Sequence, residues 1–260
     1  YMQIEFLGTG AADWDLESRK GREDYRRYAS ALINGDLLID PGPHVPDYLE
    51  KKRPNGLFDR LETVLITHSH PDHFCTETIR MLCSGGRRSV YAEETLIAKA
   101  RRAVPEALSE LFHVLIPGKT VRIGRYRVTP VRSNHCAGQG ECSFNYLIEE
   151  DDGKALFYGL DSAWLTNEAW CAFHRKRLSA MVFDCTIGFC EKDWRAFSHS
   201  GVEMIGLMKQ SLLNCGCCDG NTLFLLSHFS RSLVPEHSEL EQRLAGTGLI
   251  AAYDGMTVDI

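Results

Sequence analysis

The stretch THSHPDH at residues 67–73 places three imidazoles and a carboxylate directly after the apolar run TVLI. Neutral imidazole and carboxylate are good ligands for zinc, manganese or iron. His68 and His70 are two positions apart and can face one metal ion, whereas Asp72 and His73 can face a second. The proline between the two pairs fixes its own φ and disfavours helical geometry at the preceding residue. The motif therefore predicts a loop at a strand end that binds divalent metal.

A site for two metal ions needs further ligands, and three other polar residues occur in the same context. His135 follows the strand-like run VTPVRSN, Asp161 follows KALFYGL, and His228 follows TLFLLS. Each histidine taken singly could instead be packed in a core or solvated. The repeated strand-then-ligand pattern predicts that all three side chains join the THSHPDH loop.

Periodicity indicates the elements that would position these ligands. Short apolar runs predict strands at 3–8, 30–35, 36–40, 63–67, 89–92, 120–133, 180–184, 222–227 and 249–253, with a hairpin at 144–161. Helical spacing predicts helices at 92–104, 166–176, 200–213 and 235–245. Strand meanders followed by alternating helix and strand predict an α/β fold of two packed sheets with helices outside. No linker or repeat divides the sequence, which predicts a single domain over residues 1–260.

Composition narrows the class of partner and the compartment. The 260 residues are 44% hydrophobic and 25% charged, with a formal net charge of −6. An acidic balance argues against nucleic acid, because phosphate contacts usually require a basic face. No apolar run reaches the length of about 20 residues that a membrane span needs. The ten cysteines are scattered without repeated zinc-site spacings, so we expect reduced thiols and a cytoplasmic protein.

The order HxHxDH, then histidine, aspartate and histidine, resembles the metallo-β-lactamase superfamily over nearly the whole chain. This resemblance implies an αββα four-layer sandwich of two mixed β-sheets flanked by helices, with two divalent metal ions (zinc, manganese or iron) at the sheet edges. It assigns one metal to His68, His70 and His135, and the other to Asp72, His73 and His228. Asp161 would bridge both ions. Asp40, in LLIDPG, matches the superfamily's first motif and would orient the histidine loop.

Two further stretches indicate a branch of the superfamily. FLGTGAA (6–12) and AAYDGMTV (251–258) resemble its phosphodiesterases, which include tRNA 3′-processing endonucleases and PhnP-like cyclic phosphodiesterases. The stretch from FDCTIGF to the histidine before SGVEMIG looks like the PhnP pattern, in which His199 corresponds to the proposed general acid. A helix-entry residue followed by Ser200 as N-cap is the alternative for this position. The 26 positions from His135 to Asp161 leave no room for the RNA-gripping arm expected of tRNA-processing enzymes.

These features predict a dinuclear metal-dependent phosphodiesterase that cleaves a small anionic diester, such as a cyclic sugar phosphate, by means of a metal-bridging hydroxide. Asp72, Asp161 and His199 are the residues predicted to take part in catalysis. One alternative is an RNA or nucleotide phosphodiesterase of the tRNA 3′-processing type. Others are a thioester, lactone or β-lactam hydrolase, and a non-catalytic binding protein that keeps the fold.

One segment departs from the PhnP pattern. Residues 8–30 contain no cysteine, so the additional zinc that PhnP enzymes can carry there is expected to be missing. Its place is taken by DWDLESRKGREDYRRY (13–28), whose arginines could face an anionic substrate. A homodimer is left open, and no membrane partner is expected.

Overall fold

The computed structural model describes residues 2–17, 22, 24–52, 60–190 and 192–260. Part of the arginine-rich segment predicted to face a substrate, including Arg19, lies outside these residues. Within them, fourteen strands form two seven-stranded sheets. None of the helices in these ranges is both long and apolar enough to cross a membrane.

The first sheet has the strand order β14-β1-β2-β3-β4-β5-β6. Its strands β1 to β3 pair antiparallel, β3 to β6 pair parallel, and β14 closes the edge antiparallel to β1. The bounds are β1 Gln3–Gly8, β2 Ser30–Ile33, β3 Leu37–Ile39, β4 Thr63–Leu65, β5 Ser89–Ala92, β6 Phe112–Val114 and β14 Thr257–Asp259. The sheet is therefore mixed.

The second sheet has the order β13-β12-β11-β10-β9-β8-β7. It begins as an antiparallel meander and continues with parallel strands from β10 onward. The bounds are β7 Val121–Ile123, β8 Tyr126–Arg132, β9 Phe144–Glu150, β10 Ala155–Gly159, β11 Ala180–Asp184, β12 Leu223–Ser227 and β13 Ile250–Ala251. Strands β10 and β11 are buried along their whole length, which explains their almost entirely apolar sequences.

Helices cover the outer face of each sheet. Their bounds are α1 Val45–Lys52, α2 Thr76–Cys83, α3 Glu94–Arg101, α4 Asn167–Phe173, α5 Val202–Asn214 and α6 His237–Leu244. One apolar cluster joins the inner faces of the two sheets, including Phe6, Leu156 and Val182. A second joins α4, α5 and α6 to the second sheet, and a third joins α1, α2 and α3 to the first. This confirms the predicted αββα sandwich of two mixed sheets.

Most predicted elements agree with the structure, and the missed ones are short. The strands predicted at 3–8, 89–92 and 180–184 have the observed bounds. The helices α1 and α2 were not predicted. The three-residue strands β6 and β14 were not predicted either.

Candidate metal centre

The predicted ligands lie in loops that follow strands of both sheets. The loop 67–73 follows β4 of the first sheet, and His135, Asp161 and His228 follow β8, β10 and β12 of the second. All of them converge at one edge of the sandwich, so that their nitrogen and oxygen atoms form overlapping groups within 4.8 Å. The structure thus brings together every ligand that the sequence pattern predicted.

Three imidazoles form the first group. His70 Nδ1 lies 3.0 Å from His68 Nε2 and 3.1 Å from His135 Nε2. His68 is fully buried, and the side chain of His135 is 8% exposed. Three ring nitrogens at such distances, on largely enclosed rings, form a set of donors to which one cation would be matched.

A carboxylate and two imidazoles form the second group. His73 Nε2 lies 3.2 Å from Asp72 Oδ2 and 3.3 Å from His228 Nε2, and His228 Nε2 lies 3.6 Å from the same Asp72 oxygen. All three side chains are buried. The two sets inferred from the resemblance are therefore among the groups that lie close together, which also include a group of His68, His73 and Asp161. A further group consists of Asp161, Asp184, His199 and His228.

Asp161 lies between the two groups and gives one oxygen to each. Its Oδ1 is 3.6 Å from His135 Nε2 and 4.0 Å from His68 Nε2. Its Oδ2 is 2.9 Å from His73 Nε2 and 3.3 Å from His228 Nε2. Although Oδ2 is buried and close to these nitrogens, no contact has the geometry of a hydrogen bond. A buried carboxylate oxygen without a donor is what a metal-bridging ligand would show.

The backbone is strained at three residues around this centre. Asp40, Asp161 and His228 have φ values of 62°, 48° and 60°, in the left-handed region that residues with a Cβ rarely adopt. Each comes directly after, or one residue beyond, the end of its strand. The left-handed turn redirects the chain where the strand ends. Such strain is typical of functional sites, where the surrounding structure maintains it.

Asp40 and Thr67 fix the orientation of two predicted ligands. Asp40 Oδ2 accepts a hydrogen bond from His73 Nδ1 at 2.7 Å, and Asp40 also accepts from the Thr67 amide and hydroxyl. Because the Thr67 hydroxyl donates to Asp40, its oxygen accepts from His68 Nδ1 at 3.0 Å. Both rings therefore turn Nε2 toward the centre.

Asp184 and Thr186 fix the orientation of a predicted ligand that belongs to the second sheet. The Thr186 hydroxyl donates to Asp184 Oδ1 at 2.7 Å and accepts from His228 Nδ1 at 2.7 Å. His228 consequently presents Nε2 to the centre. Neither Thr67 nor Thr186 was predicted, although each lies within two residues of a strand end or a predicted ligand.

The electrostatics of the centre are those of a mutually neutralising cluster. Burial would raise the pKa of Asp161, but the charges of His228 and His73 hold it well below its usual value. Burial would lower the pKa of His73, but the carboxylates of Asp161 and Asp72 raise it well above the ordinary range. Histidine must be deprotonated to bind metal, so metal binding at this site should release protons.

His199 lies against both metal groups. Its ring centroid is 4.8 Å from that of His135 and 5.6 Å from that of His228. Its Nδ1 donates to Asp184 Oδ2 at 2.7 Å. Burial would lower the pKa of His199, but the charge and hydrogen bond of Asp184 raise it to about 9. The N-cap of α5 is Gly201, so the alternative with Ser200 as N-cap is wrong.

Three polar residues that were not predicted hold the loop 67–73 in place. We call Glu141, Ser69 and Lys99 the Glu141 clamp. Glu141 accepts from the Ser69 amide at 2.7 Å and from the Ser69 hydroxyl at 2.6 Å, and Lys99 Nζ lies 2.7 Å from the same carboxylate. Ser69 stands between two predicted ligands, His68 and His70. The clamp therefore fixes the turn on which the first metal group depends.

We expect Glu141→Ala to weaken metal binding by about tenfold, the lower end of the 10–100-fold range for groups behind a ligand. Glu141→Gln should have a smaller effect, because the amide oxygen still accepts from Ser69. Competition with a chromophoric zinc chelator measures the affinity. Glu239→Gln, on the exposed face of α6, is the control. Unchanged affinity in Glu141→Ala would show that the loop holds its shape without the clamp.

His44 is buried directly before the start of α1. It is 5% exposed, and neither ring nitrogen has a hydrogen-bond partner in the described part of the chain. Its ring contacts that of Tyr28 edge-on, at 5.9 Å between centroids. Burial and the charge of Arg27 lower its pKa to about 3 from an ordinary value of 6.5.

This pKa predicts acid sensitivity. Below pH 6.5 the unfolded state takes up a proton on His44 and the folded state does not, so stability falls as the pH falls. At pH 5 the loss from this residue is about 2 kcal/mol. Between pH 7.5 and 5, His44→Leu should therefore gain that amount in free energy of unfolding relative to the native sequence. Urea denaturation in the presence of a chelator tests this, with the exposed His174→Leu as control. A constant difference between the two pH values would contradict it.

Comparison with known proteins agrees with this geometry. A family model described as the beta-lactamase superfamily domain matches residues 36–217. No curated protein sequence gives a significant match. The matched range contains six of the seven predicted ligands and Glu141, whereas His228 lies beyond it.

Solved structures share the fold over the whole chain. The metallo-beta-lactamase fold protein YhfI from Bacillus subtilis superposes with a TM-score of 0.70 at 15% identity, covering 99% of this chain and 98% of that one. A diphosphatase from the PhnP family gives 0.70 at 18% identity, covering 100% and 98%. The short form of human tRNase Z gives 0.69 at 17% identity, covering 99% of each chain. The chain belongs to the beta-lactamase superfamily domain family and has the fold of its metal-dependent hydrolases.

Proposed function

We propose that the protein is a metal-dependent phosphodiesterase that hydrolyses a small anionic phosphodiester. The observation that carries this proposal is the position of His199, which faces both metal groups and is hydrogen-bonded to a buried carboxylate at 2.7 Å. Alkoxide leaving groups of phosphodiesters are poor and need a proton donor, which this histidine can supply.

The residues present fit two divalent ions of zinc, manganese or iron. His68, His70 and His135 would hold one, Asp72, His73 and His228 the other, and Asp161 would contact both. When bound, the ions would lower the pKa of water and polarise a phosphoryl oxygen.

A residue of the chain can donate the proton that the leaving oxygen needs and take up the proton that water loses. Hydrolysis forms one bond from a water oxygen to phosphorus and breaks the bond to the leaving oxygen. Asp184 holds the Nδ1 proton of His199, so Nε2 carries the proton that moves to the leaving oxygen. The proton that water loses restores His199. The left-handed turn at Asp161 keeps the carboxylate between the two groups during this exchange.

The first test compares two substrates. The manganese-loaded protein should hydrolyse 5-phosphoribosyl 1,2-cyclic phosphate, the candidate that the PhnP resemblance suggests, faster than a linear diester. If only the linear diester is hydrolysed, the phosphodiesterase proposal stands, but the cyclic sugar phosphate is not the substrate. Loss of both, with hydrolysis of a thioester or β-lactam instead, would contradict a phosphodiesterase.

A nucleotide phosphodiesterase is the second candidate, and one observation favours it. A cavity of about 1050 Å³ is lined in part by the segment that begins at the residue after His228. That volume is at the upper end of the range for small-molecule sites and far exceeds what a single sugar phosphate needs.

A further inference from the structure

Three of the ten cysteines lie together in the turn CGCCDG (215–220), which follows α5. Cys215 is the C-cap of that helix, and its amide donates to the Ser211 carbonyl at 3.0 Å. Cys215 is exposed, whereas Cys217 and Cys218 are buried, with exposed fractions of 9% and 3%. The turn therefore offers one accessible thiol beside two enclosed ones.

Gly216 lets the chain turn back on the end of α5. Its φ of 77° lies in the left-handed region, which glycine enters without the steric cost that a Cβ brings. The Gly216 amide donates to the Leu213 carbonyl at 3.2 Å, and the Cys218 amide donates to the Leu212 carbonyl at 3.2 Å. These bonds fix the backbone on both sides of Cys217 against the last turn of the helix.

The turn brings two sulfur atoms together. The thiol of Cys217 lies within hydrogen-bond reach of the Cys215 sulfur. The Cα atoms of residues two apart are at most about 7 Å apart, because each trans peptide spans about 3.8 Å. Disulfides join Cα atoms that are about 4.4–6.8 Å apart. A bond between the two sulfurs therefore requires no large movement of the backbone.

The other contacts of the two thiols are weak. Cys215 Sγ donates to the Leu212 carbonyl at 3.3 Å, and Cys217 Sγ lies 3.7 Å from the carbonyl of Phe173, the last residue of α4. A thiol is a weak hydrogen-bond donor, so little is lost when its proton is removed. The surroundings therefore do not hold the pair in the dithiol form.

The two thiols differ in reactivity. Burial and the hydrogen bond with Cys215 raise the pKa of Cys217 to about 11 from an ordinary value of 9.0. Burial raises the pKa of Cys218 to about 12. The thiolate is the nucleophile in thiol–disulfide exchange, and access decides which sulfur a small reagent meets. Cys215 is therefore the sulfur that reacts first.

We propose that Cys215 and Cys217 form a thiol–disulfide exchange site, at which a low-molecular-weight disulfide such as oxidised glutathione converts the pair into an intramolecular disulfide. The Cys215 thiolate first bonds to one sulfur of the small disulfide, whose S–S bond breaks and whose other half leaves as a thiolate. The Cys217 thiol then loses its proton to water, bonds to the Cys215 sulfur and expels the second half. Two protein thiols are oxidised, and the small disulfide is reduced to two thiols.

The exchange site is separate from the metal centre. His199 lies before the N-terminal end of α5 and the cysteine pair lies at the C-terminal end, so the 13 residues of the helix separate them. A helix of this length spans about 20 Å. The proposal therefore does not rest on the proposed phosphodiesterase function. Because Cys217 expels the small thiol, the exposed cysteine keeps no lasting adduct, and a reductant restores the pair.

Mass spectrometry of the full metal-loaded chain tests the proposal. The reduced protein is incubated with oxidised glutathione near neutral pH, its remaining thiols are alkylated, and the protein is digested with trypsin. The tryptic peptide 210–231 contains Cys215, Cys217 and Cys218 and no other cysteine. In the native protein this peptide should lose two hydrogens, carry the alkyl label at Cys218 only and carry no glutathione.

Four variants identify the sulfurs. Cys217→Ser should keep glutathione attached at Cys215, because the thiol that expels it is gone. Cys215→Ser should form neither the adduct nor the disulfide. Cys218→Ala should form the same disulfide as the native protein, and so should the control Cys171→Ser, which changes an exposed thiol of α4.

Three results would overturn the proposal. One is a native peptide 210–231 that stays fully reduced. Another is a native peptide that retains glutathione at Cys215, since Cys217 would then not reach the mixed disulfide. The third is a disulfide that survives in Cys217→Ser but is lost in Cys218→Ala or Cys171→Ser, which would assign the bond to another sulfur.

Discussion

Asp161→Ala should lower kcat/KM on a phosphodiester by more than about 100-fold, which is the upper end of the cost for residues that only support a ligand. Asp161 is fully enclosed by the site, with one oxygen toward His135 and the other 2.9 Å from His73. No other carboxylate in the described residues lies between the two groups. Without it, the imidazoles lose the anion that neutralises them.

Initial rates with the native and variant proteins at matched metal occupancy measure this effect. Asp152→Ala, in the exposed turn between β9 and β10, is the control and should retain the native rate. Circular dichroism establishes that both variants are folded. If Asp161→Ala keeps the native rate, the bridging assignment is wrong. If the native protein shows no turnover and the variant keeps full ligand affinity, the chain is a binding module.

His199→Ala should discriminate between leaving groups. A general acid contributes about 10²- to 10⁴-fold when the leaving group needs a proton. We expect a loss in that range for an alkyl ester and only a few-fold loss for a p-nitrophenyl ester, whose leaving group departs as the anion. The ratio of kcat/KM on the two substrates is therefore the measurement.

Asp184→Asn and His174→Ala provide the comparison. Asp184→Asn keeps the shape of the site but removes the charge that raises the pKa of His199, so it should show the same selectivity to a smaller extent. His174→Ala changes an exposed histidine and should leave both rates unchanged. Equal losses on the two esters in His199→Ala would remove the general-acid role and leave a structural one.

The ligands could be predicted because they lie at strand ends, where the sequence marks both the strand and the polar residue. His135, Asp161 and His228 are far apart in sequence, yet the strand-then-ligand pattern places them together. The alternation of strands and helices predicted two packed sheets with helices outside, and the resemblance to the superfamily implied the four-layer αββα sandwich. The same stretches of sequence therefore predicted both the strands and the ligands that follow them.

Other parts of the site depend on contacts that no local pattern contains. The clamp joins Glu141 to Ser69, 72 residues earlier. The indole of Trp14 donates to the carbonyl of Phe229, 215 residues later, and so joins the N-terminal segment to the loop after His228. The left-handed conformation of Asp161 arises because the surrounding structure imposes it, since aspartate has only a modest tendency toward φ > 0. Such features appear only when the chain is folded.

The origin of the ligands in two different sheets has a consequence for the persistence of the fold. Four predicted ligands belong to the loop of the first sheet and three to loops of the second. A bound metal pair would therefore link the two sheets. The sheets could not separate until the metal ions were lost. The native lifetime would then be governed by the rate of metal release rather than by the melting of the core. Scarcity of metal would shorten the life of the protein as well as stop its chemistry.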